Sequence, residues 1–299
     1  MMDHKYLKDV KNGEKIESCL MVMKILSIED NSIIAYIGDK TSEVKAIITY
    51  KDSTPKVGEV IMVKGIFKSP FKVEAIKKIE NFDVYTYIPS VKRPVEDIIK
   101  ELDEITRDEF KSPEVIAIND YFFKNEEFLK KFNMAIGGVY HHHNYLGGLA
   151  EHTLNVTYLA KVFAHRYDCR YKELAILGAK LHDIGKVREM YYGGPFGYTL
   201  EGEMEGHIVI GVSMLEDAFR ENKEMYSDEF KERLKGIIVQ HHGKLEYGSP
   251  KSPKSQESFI VHYADYVDAT LNKVDIISQG INPGQWTDYE RRIEGRLLL

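Results

Sequence analysis

Apolar positions in the first part of the chain come in short runs broken by polar or turn residues. Residues 15–28 are rich in Ile, Val, Leu and Met, and runs at 32–38 and 43–50 follow after brief polar breaks. Two more, at 59–68 and 72–80, are separated by Ser69-Pro70. Val44, Ala46, Ile48 and Tyr50 alternate with Lys45, Ile47 and Thr49, the mostly period-two pattern of a half-buried strand. Five short strands predict a small closed barrel over residues 1–88. An OB-like barrel is the expected form, with an SH3-like barrel as its competitor.

The stretch Pro89-Ser90-Val91-Lys92-Arg93-Pro94 reads as a linker over residues 89–94, and beyond it the period changes. Val95, Ile98, Ile99, Leu102 and Ile105 fall at i, i+3, i+4, i+7 and i+10, one stripe of a helix. Ser112-Pro113-Glu114 reads as an N-cap followed by Pro at the first helical position. Further helices are predicted over 148–166, 171–186, 203–222, 227–242 and 255–278, with Pro250 and Pro253 punctuating the gap before the last. Residues 95–299 are therefore expected to be an all-α bundle. The predicted fold class is multidomain α and β, a five-stranded OB-like β-barrel followed by helices. The ending Arg296-Leu297-Leu298-Leu299 is too apolar for a solvated tail and is expected to pack on a neighbour.

Composition narrows the function classes. The 299 residues are 43% hydrophobic and 29% charged, which suits globular domains and excludes disordered and collagen-like chains. A net charge of −6 argues against a polycation that coats nucleic acid or lipid by bulk charge. No apolar run approaches the ~20 residues of a membrane span, and the opening residues lack the apolar core of a signal peptide. Cys19 and Cys169 have no CxxC spacing and read as reduced, buried thiols of a cytoplasmic protein. Residues 1–93 hold 16 Lys+Arg against 13 Asp+Glu, so the barrel is slightly basic within an acidic chain. Its Lys45, Lys64, Lys68, Lys72, Lys77 and Lys78 lie among Tyr36, Tyr50, Phe67 and Phe71. That mixture suits either a single strand, with bases stacked on rings and lysines on phosphates, or a solvated barrel with an aromatic core.

Histidine changes the picture most. Ten of the 11 histidines follow residue 140. His152, the doublet His182-Asp183, His207, the pair His241-His242 and Asp265 occur in that order, each on a different predicted helix or at its end. A bundle aims such residues into one pocket. Neutral imidazole and carboxylate together bind borderline divalent cations. Three histidines and two aspartates provide a four-ligand site, a bridging carboxylate and part of a second site. Two ions clamp both oxygens of an in-line phosphoryl displacement. Each residue alone is an ordinary structural or surface group; the ordered set is what signals a metal site.

That set resembles the HD superfamily of metal-dependent phosphohydrolases, in the version with an extra His and a His-His pair that marks its two-metal phosphodiesterases. Three stretches are more specifically similar to YhaM-type 3′–5′ exoribonucleases. They are Tyr140-His-His-His-Asn-Tyr-Leu-Gly-Gly-Leu-Ala-Glu-His-Thr-Leu, Leu-Gly-Ala-Lys-Leu-His-Asp-Ile-Gly-Lys, and the terminal helix. That family joins an N-terminal OB domain to an HD domain, the order read here.

The resemblance implies that His152, His182, Asp183 and Asp265 hold one metal, that Asp183 bridges, and that His207 and His241 hold a second. It implies catalytic roles for Asp183, Lys186 and His242, with His242 on the phosphate rather than a metal. Lys186 would neutralise a phosphate oxygen, or serve only as a helix C-terminal cation. His142, His143 and Asn144 either contact substrate, as Lys186 and His242 would, or form a polar loop with His141. Asp268 is the expected partner of a ligating His. His262 is equally a core or a site residue, and His4 and His165 are surface residues.

The expected cofactor is two divalent ions, Mn²⁺ foremost, with Fe²⁺, Co²⁺, Zn²⁺ or Mg²⁺ compatible. The expected partner is single-stranded RNA, with single-stranded DNA and a homo-oligomer left open and no membrane. The implied reaction is 3′–5′ hydrolysis of phosphodiesters by metal-activated water, releasing nucleoside 5′-monophosphates. The alternative is a phosphohydrolase or phosphodiesterase acting on a small nucleotide or cyclic dinucleotide. A third reading is a non-enzymatic RNA-binding module, and the intact ligand set argues against it.

Overall fold

The computed structural model describes residues 5–51, 53–139 and 143–299, and the chain divides into two compact units. One comprises residues 1–90 with 191–197, the other 91–190 with 198–299. Among the described residues no helix is long and apolar enough to cross a membrane.

The first unit is a closed five-stranded barrel. Its strands are β1 (Lys15–Glu29), β2 (Ser32–Asp39), β3 (Ser42–Thr49), β4 (Val60–Ile66) and β5 (Phe71–Ile79), in the order β1-β2-β3-β5-β4. β1 pairs with both β2 and β4, and β3 lies parallel to β5, a closure that fits the OB-like barrel. The period-two pattern sets the register: Ile33 faces Ile48 and Ala35 faces Ala46, all turned inward. Leu20, Val22, Ile61, Val63, Phe71 and Val73 complete the core.

The aromatic residues of the barrel divide. Phe71 is in the core with Phe67 packed edge-on against it, and Tyr50 also leans on the core. Tyr36 is half-buried, in cross-strand register with Lys24 on one side and Lys45 on the other. Cys19 is half-buried and Cys169 buried, and neither forms a disulfide.

The second unit is helical: α1 (Val95–Glu109), α2 (Pro113–Phe123), α3 (Glu126–Met134), α4 (Gly148–Arg166), α5 (Lys172–Leu181), α6 (Lys186–Glu189), α7 (Leu200–Glu221), α8 (Asp228–Gln240) and α9 (Gln256–Ser278). The predicted stripe of α1 buries Ile98, Leu102 and Ile105. Ser112 precedes Pro113 as expected, but its side chain makes no cap bond; its backbone N–H donates to Glu173. The short α3 falls outside the spans that the periodicity predicts, and its Phe128 and Phe132 pack on Phe123.

Two helices depart from the predicted spans. The helix expected over 171–186 ends at Leu181, and a turn carries His182 and Asp183 before α6 begins. Gly185 lies in that turn, where a Cβ would fall 2.0 Å from the carbonyl of His207, so only glycine permits the approach. The helix expected over 203–222 starts earlier and is broken at Gly206, whose φ of 72° and ψ of 158° lie outside the helical range. The tail is tied back by main-chain pairing and not by apolar burial: Leu298 bridges Trp286 and Leu297 exchanges bonds with Thr287, while the Leu298 and Trp286 side chains stay exposed.

Candidate metal centre

A helix leaves its last carbonyls without intrahelical partners. His182 and His241 each stand one residue past a helix end and turn back on such a carbonyl. His182 Nδ1 donates to Ala179 O at 2.7 Å, and His241 Nδ1 donates to Ile238 O at 2.7 Å. His242 Nδ1 donates to Tyr247 O at 2.9 Å. The other two rings lean on carboxylates: His152 Nδ1 on Asp268 Oδ2 at 2.6 Å, and His207 Nδ1 on Glu189 Oε1 at 3.1 Å. With Nδ1 donating in all five, every Nε2 is turned to the pocket, where a metal would take it in place of a proton.

Four of these Nε2 atoms gather on the two oxygens of Asp183. Around Oδ2 stand His152 Nε2 at 3.4 Å and His182 Nε2 at 3.3 Å, with Asp265 Oδ1 3.3 Å from His152 Nε2. Around Oδ1 stand His207 Nε2 at 3.5 Å and His241 Nε2 at 3.6 Å. Asp183 Oδ1 and His241 Nε2 are buried and make no hydrogen bond among the described residues. Buried polar atoms are rarely left so, and these two face each other across a gap that a cation fits. His152, His182 and His241 are fully buried, and Asp183 is 2% exposed. The donor set is imidazole and carboxylate, the chemistry of Mn²⁺, Fe²⁺, Co²⁺ or Zn²⁺.

The electrostatics favour cations. Burial works against charge on Asp183, yet the Lys186 ammonium and His182 hold its carboxyl well below the usual range. Asp265 is likewise held low, burial being outweighed by His152. Burial opposes a proton on His152, but the carboxylates of Asp183, Asp265 and Asp268 raise its pKa well above the ordinary imidazole value. His242 is pushed down to about 3, by burial and then by His241 and His207, so its ring is neutral at neutral pH.

The six expected ligands, His152, His182, Asp183, His207, His241 and Asp265, thus meet in one place. His242, expected on the phosphate, has its Nε2 3.3 Å from His207 Nε2 and joins the group His207, His241, His242. Lys186 Nζ lies 2.6 Å from Asp183 Oδ2 and donates to Gly137 O. Asp268 accepts from His152, from His143 Nε2 at 2.8 Å and from Asn155 at 2.8 Å.

His143, expected at the substrate, is instead buried behind His152, its Nδ1 facing Glu151 and Tyr145. The group His143, His152, Asp268 is closed by its own hydrogen bonds and is a support rather than a second cation site. Asn144 is exposed, and His141 and His142 lie outside the described residues. His262 is half-buried and donates to His241 O.

The sequence reading missed Glu189. It is buried one turn after Lys186 and takes both the ring Nδ1 and the backbone N–H of His207. The break at Gly206 frees that N–H, and a carboxylate six residues beyond the His-Asp doublet was its signal in the sequence.

The centre opens into a cavity of about 450 Å³ lined by Asp183, Lys186, His242, Tyr247, Tyr266 and Lys273, among others. That is the size of small-ligand sites. A cavity of about 560 Å³ near Arg170, Glu173 and Arg233 holds no converging group of ligand atoms among the described residues.

Known proteins share this sequence in part. Residues 149–270, which include all the ligands, match the HD domain. The 3′-5′ exoribonuclease YhaM of Bacillus subtilis is 32% identical over 256 residues, covering 83% of this chain and 79% of that protein. The protein of the same name from Geobacillus sp. is 28% identical over 293 residues, covering 97% of this chain and 88% of that one. A solved structure of the HD domain of the L. monocytogenes phosphodiesterase PgpH is 23% identical, covers 53% of this chain and 77% of that one, and superposes with a TM-score of only 0.29.

Proposed function

The chain belongs to the YhaM family of 3′–5′ exoribonucleases, and from that premise we propose that its pocket holds two divalent cations and shortens single-stranded RNA one nucleotide at a time. It is a metal-dependent 3′–5′ exoribonuclease, a hydrolase of the HD class. The observation that supports two ions rather than one is Asp183, whose oxygens each face a separate set of imidazoles. His152, His182 and Asp265 would hold the first ion with Asp183. His207, His241 and His242 would hold the second with the same carboxylate. When bound, such a pair acts as a Lewis acid toward the phosphoryl oxygens and lowers the pKa of water. Mn²⁺ suits the donor set, with the other borderline ions as alternatives.

The chain's own groups do the rest. Lys186 sets a fixed positive charge beside Asp183 in the cavity, where it would meet a phosphate oxygen. Asp268 and Glu189 keep His152 and His207 in the tautomer that binds metal. Water adds to phosphorus, the bond to the 3′-oxygen of the upstream nucleotide breaks, and that oxygen takes a proton. A nucleoside 5′-monophosphate leaves each time. The barrel would hold the strand upstream, and Tyr36 between Lys24 and Lys45 offers a ring flanked by cations for it. A cytoplasmic setting suits the two free cysteines.

The test is single-stranded RNA labelled at its 5′ end, incubated with Mn²⁺ and the full chain. A ladder shortening from the 3′ end, with mononucleotides as product and no reaction in His182→Ala, is expected. Intact RNA alongside hydrolysis of a free nucleotide or cyclic dinucleotide would replace this reading with a small-molecule phosphohydrolase.

A further inference from the structure

Helix α9 supplies Asp265 and Asp268 to the centre, yet its outward face carries large rings that the metal site does not use. Phe259, Tyr263 and Tyr266 are 46%, 54% and 53% exposed. At i, i+4 and i+7 they lie on one face of the helix, with the half-buried His262 beside them. The rings form a continuous row. Phe259 stacks on Tyr263 at 6.4 Å, His262 lies 5.1 Å from Tyr263, and Tyr266 lies 6.4 Å from His262. Single exposed rings are ordinary on a protein surface, but a contiguous row marks a surface that binds something.

Two features identify what it binds. The row runs into the catalytic cavity, because His262 and Tyr266 line the cavity together with Asp183 and Lys186. The face also bears no carboxylate from Phe259 to Lys273. Of the other acids of α9, Glu257 is buried against Arg233, Asp265 and Asp268 turn to the histidines, and Asp275 falls on the opposite side. Lys273, two turns further along the same face, lines the cavity. Aromatic rings without negative charge and a cation at the reacting centre are what a single strand needs, stacked by its bases and held by its phosphates.

Resting on the exoribonuclease reading, we propose that the face of α9 from Phe259 to Tyr266 is the track on which the RNA bases upstream of the scissile bond stack. Seven residues of helix rise about 10 Å, room for about three stacked bases at 3.4 Å each. Tyr266 meets the nucleotide next to the scissile bond, and Tyr263 and Phe259 meet those before it. The track therefore feeds a strand and ignores sequence, since every base has a stacking face.

The test compares the wild type, Tyr263→Phe and the double variant Phe259→Ala, Tyr263→Ala on a dinucleotide and on a decanucleotide of single-stranded RNA, with Mn²⁺. The double variant is expected to raise KM for the decanucleotide about ten- to a hundredfold, leaving its kcat and the dinucleotide KM near wild type. Tyr263→Phe is expected to match wild type. Unchanged KM on the decanucleotide, or an equal rise on both substrates, overturns the track while RNA hydrolysis by the wild type upholds the exoribonuclease reading. A shift of the double variant's mass in solution with unaltered KM overturns it in favour of an interface between copies. A wild-type chain that cleaves bis(p-nitrophenyl) phosphate but not RNA removes the exoribonuclease reading, and the track with it.

Discussion

The Nε2 atoms of His152 and His182 face each other at 3.1 Å. Each ring has placed its Nδ1 proton on an oxygen, so both Nε2 atoms point into the same gap. A proton on His152, which the surrounding carboxylates favour, bridges that gap in the metal-free chain, and a cation between the nitrogens takes its place.

Loading the centre with metal therefore stabilises the fold. At a hundred times Kd, a ligand that binds only the native state adds about 2.7 kcal/mol, which for a helical unit of this size is about 5–10 °C in Tm. Thermal scans with Mn²⁺ and with chelator are expected to differ by that amount. Coincident scans would mean that the pocket holds no ion.

His242 decides how many ligands the second ion has. Its neutral ring beside His207 predicts that His242→Ala loses metal, from about two equivalents per chain toward about one. Elemental analysis of the purified variant reads this directly. A variant that keeps both ions and loses only turnover returns His242 to the phosphate.

Asp268 contacts no ion in this arrangement, yet it aims His152. Asp268→Asn leaves the pocket's shape and removes the charge that receives the His152 proton. The expected effect is a ten- to hundredfold weaker Mn²⁺ affinity, measured by calorimetric titration. Affinity equal to wild type would show that His152 holds its orientation without that carboxylate.

A buried cation elsewhere gives a pH prediction free of the metal site. Lys180 is 1% exposed, donates to Thr106 and Asn119 and lies 3.9 Å from the ring centre of Phe123. Burial pushes its pKa down from 10.5 to about 7. Between those values the unfolded chain holds a proton that the folded chain does not, so stability rises with pH. The penalty is fully present below pH 7 and is relieved toward pH 10.5. Urea unfolding of wild type and Lys180→Met is expected to diverge with pH, wild type gaining on the order of 3–5 kcal/mol relative to the variant across that window. A difference independent of pH would place the ammonium group's charge in solvent.

Much of this was legible in the residues, because the signals were local. Alternation gave away β3, the 3–4 spacing gave away α1, and ligand types at helix ends gave away the centre. What stayed hidden depended on distant chain segments. The turn after Leu181 brings Gly185 against the His207 carbonyl, an approach between segments that no window of sequence contains. His143 reads as a loop residue, and only the fold shows it packed between Glu151 and Asp268. Phe67 and Phe71 had two equal readings until barrel closure turned them inward.

Three of the five rings at the centre, His182, His241 and His242, are steered by main-chain oxygens. No point substitution deletes a peptide carbonyl. Mutational drift can thus reach the orientation of the centre mainly through Asp268 and Glu189, one in each half. Decay of this enzyme in a lineage should first show there, as a half-loaded protein whose histidines are all still in place.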